Sequence, residues 1–271
     1  MKRKLLPLAI GAAIAMPGVA MAQPTVYGKV NVTVESYDFD PEGDASDYDQ
    51  WEVNSNASRL GVKGSEKISD SLSAVYKLEY ETAVDDGSAD ETDDGDGLVF
   101  KQRNIYGGLK GGFGEVIVGK FDTPTKTSQN KVDLFNDMKL GDIKNVIVGE
   151  ERASNSIQYT TPDMGALVAK VSIMPGEGEC DEGAADDCDD GLADGVSASV
   201  AFEQDGIYAA IAADKDVDGY DLIRLVVQAN IDALQLGLIY QTAEEADGDD
   251  PEEQDGYILS GAMKVGSAGK V

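Results

Sequence analysis

The sequence predicts an all-β chain folded as a transmembrane antiparallel β-barrel, on three observations. Segments repeatedly alternate between an apolar and a polar face, connections are short at one end of the sheet and long at the other, and no run beyond the N-terminus is apolar enough to cross a bilayer as a helix.

The N-terminus combines Lys2-Arg3-Lys4, an apolar run from Leu5 to Ala15 and the small-residue site Ala20-Met21-Ala22. This is the pattern of a secretory signal peptide, residues 1–22, with cleavage expected after Ala22 and an exported domain over residues 23–271. Pro7 and Pro17 leave the apolar segment too short to anchor the chain across about 30 Å of hydrocarbon.

From Thr25 to Tyr37 the chain alternates Val26, Gly28, Val30, Val32 and Val34 with Tyr27, Lys29, Asn31, Thr33 and Glu35. That is a continuous strand with two unlike faces. Similar alternation returns at Ser71 to Glu81, Val196 to Glu203, Leu222 to Asn230 and Leu234 to Gln241. The connections Ser65 to Asp70, Lys110 to Gly114, Thr161 to Gly165, Gln204 to Gly206 and Ile231 to Ala233 are short and rich in turn formers. Those at Asp38 to Gln50, Val84 to Gly97, Pro175 to Gly195 and Ala243 to Gly256 are long and acidic. A soluble sandwich also alternates, but asymmetry between the two ends is the plan of an outer-membrane barrel. Tyr76, Tyr80, Tyr106, Tyr159 and Tyr240 fall on apolar faces or near strand ends, where an aromatic girdle is expected; ordinary strand propensity is the alternative.

One stretch breaks the rhythm. After the glycine-flanked strand from Tyr106, about thirty residues of mixed charge run to Arg152 without strong periodicity, and a connection of that length inside a compact domain is normally functional.

Charge and composition exclude several functions. With 51 acidic against 22 basic residues and a net charge of −29, nucleic acid is not a partner. The chain has no histidine, which removes the commonest general base and metal ligand. No opposed nucleophile and base is evident, so neither an enzyme nor a cofactor is expected. The acidic runs lack the spacing of a dedicated calcium loop, Asp90 to Gly97 being the nearest approach, and no metal site is expected. A secreted acidic calcium-binding sandwich of adhesin type is the alternative reading. Cys180 and Cys188, in an oxidising compartment, are candidates for a small loop-closing disulfide, with two free thiols as the alternative.

Three stretches carry a resemblance: SNASRLGVKGSE from Ser55 to Glu66, YGGLKGGFGEVIVGKFDTP from Tyr106 to Pro124, and RASNSIQYTTP from Arg152 to Pro162. Together with the opening strand they are similar to the general, diffusion-type porins of Gram-negative outer membranes. The resemblance implies a sixteen-stranded barrel in the cell outer membrane, a homotrimer surrounded by lipid, and passive passage of small hydrophilic solutes and ions. It also implies that the long loop, residues 121–151, folds inward as a constriction whose acidic side is Asp122, Asp133, Asp137, Asp142 and Glu150, facing a basic ladder on the early strands. Strand parity agrees with that ladder, since Lys29, Arg59, Lys77, Arg103 and Arg152 all lie opposite the apolar face. A charge facing lipid near mid-bilayer would cost about 2 to 4 kcal/mol. The acidic external loops predict a weak cation preference. Alternating segments number about twelve to thirteen, and the last does not end on the aromatic residue usual in such porins, so a chain truncated at its C-terminus is expected.

Overall fold

The computed structural model describes residues 24–39, 48–85, 100–176, 191–246, 251–266 and 269–270. The expected signal peptide and the cysteines Cys180 and Cys188 lie outside the described residues. The strands are β1 (Thr25–Lys29), β2 (Val32–Phe39), β3 (Tyr48–Ser55), β4 (Arg59–Ser69), β5 (Leu72–Glu81), β6 (Lys101–Gly111) and β7 (Gly114–Asp122). After α1 (Pro124–Ser128) and a 3-10 turn at Ile143–Asn145 follow β8 (Arg152–Thr160), β9 (Leu167–Met174), β10 (Gly195–Gln204) and β11 (Ile207–Val217). The chain continues with β12 (Tyr220–Ile231), β13 (Leu234–Glu245), β14 (Glu253–Val265) and β15 (Gly269–Lys270). Neighbours pair antiparallel in chain order in a 13-stranded sheet, with β2 and β3 as a separate two-stranded extension. The strand number agrees with the count from alternation.

The first strand is not continuous as expected. β1 pairs with β4 through Lys29 and Arg59, β2 pairs with β3 through Val32 and Ser55, and the register slips by one residue between them. The extra residue lies on the returning side, where Ala57 has a φ of 50°. The Asn31 amide donates to Ser58 Oγ (3.0 Å) and the Asn56 amide to the Asn31 carbonyl (2.8 Å), so the joint is a hydrogen-bonded bulge within one long hairpin.

The faces are inverted relative to a water-soluble protein. On β12, Ile223, Leu225 and Val227 are exposed while Arg224, Val226 and Gln228 are buried, and on β1 Val26 is exposed while Tyr27 is half-buried. Ile207, Ile211, Leu234, Leu236, Leu238 and Leu259 continue the outer aliphatic belt. A sandwich would bury this face, so the adhesin reading loses its support. Two-residue turns with both residues at positive φ, Asp205-Gly206 and Asp218-Gly219, suit the twist of the hairpins they close. The second lies at the end otherwise served by long loops, and is an exception to the asymmetry read from sequence.

The sheet curls on itself. Val132 of the long loop packs against Gly237 on β13, and five residues later Asp137 meets Lys29 on β1. Five extended residues reach about 17 Å. In a flat sheet those two strands would be about 48 Å apart, at ten intervals of roughly 4.8 Å. The loop therefore crosses the inside of a curved wall. Its apolar residues Val132, Ile143 and Ile147 form the principal buried cluster with Tyr208, Ala210, Val226 and Ile239 from the inner faces of β11 to β13.

Candidate functional site

Strand irregularities aim the basic side chains. Between Leu78 and Tyr80 on β5 the register with β6 shifts, so that Arg103 and Asn104, adjacent in sequence, are both buried on the inner face. Simple alternation would have sent one of them outward. Arg103 Nη1 donates to Glu81 (2.6 Å) and Asn104 Nδ2 to Asp122 (3.0 Å). Lys29 and Arg59 are directly opposite one another, and Arg59 is opposite Glu81 on its other side. Lys77 pairs with Glu79 at 3.2 Å, and Arg152 with Asp122 at 2.9 Å. All five basic residues predicted from sequence therefore lie on the inner wall. Tyr106 does as well, being opposite Lys77, so it takes no part in an outer aromatic girdle.

The loop connecting β7 to β8 begins after Asp122, since Phe121 and Asp122 still belong to the strand. Thr123 caps α1 by accepting from the Lys126 amide at 3.1 Å, and Pro124 occupies the first helical turn, where its missing N–H costs nothing. At the tip, Asp137 adopts a φ of 70° and its amide donates to Asp142 Oδ2 at 2.9 Å. Its carboxylate receives Arg59, Arg103 Nη2 at 3.4 Å and Lys29 Nζ at 3.6 Å. Lys139, two residues on, reaches Glu52 on β3 at 3.0 Å.

The five loop carboxylates singled out from sequence have different placements. Asp137 alone of the five meets Lys29, Arg59 and Arg103 among the described contacts. Asp133 accepts from the Phe135 and Ile143 amides, and burial pushes its carboxyl above the usual range. Asp142 caps the 3-10 turn by accepting from the Lys144 amide at 3.0 Å. Asp122 is a wall residue bound to Arg152, Asn104 and Lys126. Glu150 turns to the opposite wall, where it pairs with Arg224 on β12 at 2.6 Å. Burial pushes Glu150 up to about 7, against the pull of Arg224 and Lys126.

Sequence reasoning missed that opposite wall. Arg224 is fully buried, and Tyr208, Gln228, Gln235 and Gln241 beside it all bond the loop backbone. A signal was present. Leu222 and Val226 share the inner face of β12 with Arg224 and Gln228, and apolar residues on a lumen face imply that protein covers it. Among the described residues no cluster of His, Cys, Asp or Glu is arranged to hold a metal ion.

Residues 9–271 match the Gram-negative porin family. The chain is 31% identical to outer membrane porin protein 32 of Delftia acidovorans, an alignment that covers all of this chain and 78% of that protein. It is also 31% identical to major outer membrane protein P.IB of Neisseria sicca, over 65% of this chain and 47% of that one. Among solved structures, an anion-selective porin from Comamonas acidovorans superposes with a TM-score of 0.71 at 24% identity, over 92% of this chain and 76% of that one. Salmonella typhi OmpF superposes with a TM-score of 0.62 at 16% identity, over 90% and 75% respectively.

Proposed function

Because this chain belongs to the Gram-negative porin family, whose members are outer-membrane channels and not enzymes, we propose that it passes small hydrophilic solutes and ions through a waist lined by its long loop and its inner wall, as a homotrimer. The observation that carries the reading is the loop tip, where Asp137 stands against Lys29, Arg59 and Arg103. Fixed charges of both signs, held in contact at the edge of a narrow, water-filled passage, give a local field that orders water and favours polar solutes over apolar ones. No catalytic group is needed.

Ion preference follows from how those charges cancel. Asp137, Glu79 and Glu81 offset the cations of the wall, so the waist is close to balanced and the acidic surroundings decide. With a net charge of −29 concentrated in the long connections, the channel prefers cations weakly. The Comamonas relative is named for the opposite preference, which makes selectivity the sharper test. In planar bilayers the protein is expected to conduct, with a reversal potential in a salt gradient displaced slightly toward the cation value. A clear displacement toward the anion value removes the cation claim, and no conductance in bilayers or swelling liposomes removes the channel.

A further inference from the structure

We propose that Arg224 is the positioning residue of the pore, fixing the width of the waist by clamping the loop to the wall that faces away from the basic ladder. The proposal rests on the channel reading. Arg224 is fully buried, so it acts by holding and not by presenting charge to a permeating ion. Its guanidinium uses all three nitrogens. Nε donates to Gln241 Oε1 (2.7 Å), Nη2 to the Val148 carbonyl (2.8 Å), and Nη1 to Glu150 Oε1 (2.6 Å), with the Thr125 carbonyl 3.4 Å away. One side chain thus ties the outgoing arm of the loop at Thr125 to its returning arm at Val148 and Glu150, and both to β12 and β13.

Neighbouring groups extend the clamp to three points of the loop backbone. Tyr208 donates to the Ser128 carbonyl (2.8 Å), Gln235 to the Lys131 carbonyl (2.7 Å), and Gln241 to the Val148 carbonyl (3.0 Å). Donors aimed at main-chain oxygens fix a path whatever the loop side chains are. The arm comes close enough to require glycine at position 149. Gly149 has a φ of +86°, and a Cβ there would lie 2.6 Å from Leu222 Cδ2 and 3.2 Å from Arg224 Nη2. A planar fork that meets three acceptors at once cannot be reproduced by the single ammonium of lysine.

The test uses the full-length protein refolded or expressed in outer membranes, with R224Q, R224K, G149A and D137N as variants. Planar-bilayer recordings are expected to give R224Q and G149A a larger and noisier unitary conductance and a loss of the wild-type size limit for uncharged sugars, with an unchanged reversal potential. D137N, which neutralises the carboxylate at the loop tip, is expected to move the reversal potential, unlike R224Q and G149A. R224K is expected to behave like R224Q. A second readout needs no conductance: trypsin should cut the folded barrel at Lys139 or Lys144 faster in R224Q and G149A than in wild type. Wild-type size limits and cleavage rates in both R224Q and G149A would overturn the clamp, and a wild-type R224K would overturn the role of the fork. Should R224Q fail to insert, G149A decides, because it lifts the arm without removing a charge. A wild-type protein that does not conduct counts against the channel alone, since the cleavage comparison still judges the clamp.

Discussion

Glu150 sits between opposing influences. Burial favours its neutral form, as does Asp142, whereas Arg224 from β12 and Lys126 from α1 favour the carboxylate. Burial prevails and raises the docked value to about 7, from the ordinary 4.5 that applies when the loop is free in water. A group whose value is raised on docking contributes stability that is complete below its free value and fades as the pH climbs through its docked value. The contribution of Glu150 to loop docking is therefore complete below about pH 4.5 and fades as the pH rises through about 7. Open-channel noise recorded from pH 4 to pH 9 should rise across that window, and E150Q should flatten the profile. An E150Q profile identical to wild type would assign the dependence to another group. At this scale the sequence was a partial guide. The wall residues followed from parity because a strand offers only two directions. The loop carboxylates did not, because an irregular backbone sets each direction separately: Asp133 and Asp142 turned to main-chain amides and Glu150 to a wall outside the quoted motifs.

The long loop behaves as an element with its own core. Val132, Ile143 and Ile147 are buried against Tyr208, Ala210, Val226 and Ile239, so apolar burial adds to the hydrogen-bonded clamp. Ile239 is fully buried at the centre of that contact. Truncating a buried isoleucine to alanine typically costs about 2 to 5 kcal/mol. I239A should accordingly expose the loop to protease while the barrel stays folded, whereas I223A, on the exposed face of β12, should leave the loop protected. Equal cleavage in the two variants would separate loop docking from this cluster. The strands were legible because period-two patterning survives in one sequence. The bulges were not, since Ala57 and the Leu78 to Tyr80 shift depend on which residue the partner strand offers.

For the whole molecule, the decisive feature is the inverted face pattern. Leu238 is exposed on the outer belt, level with Val227 and Leu259 on the adjacent strands. An arginine placed there would meet hydrocarbon, at a cost of about 2 to 4 kcal/mol near mid-bilayer. L238R should lower the folding free energy in lipid vesicles by that order, measured by denaturant titration, and an unchanged midpoint would mean that this face does not meet lipid. Architecture was readable before the fold was seen, because alternation and lopsided connections are properties of the chain alone. The closeness of Lys29 to the loop tip was not, because it needs the sheet to curl.

The placement of the loop also constrains the order of assembly. It is anchored to strands made long before it and long after it, from Lys29 on β1 to Gln254 on β14, whose side chain accepts from the Val148 amide at 3.4 Å. Contacts so distant in sequence form late, since each must await closure of a large segment of chain. The waist cannot narrow until the far strands are in register, so the loop is expected to seat only after β11 to β14 have formed the wall that receives it.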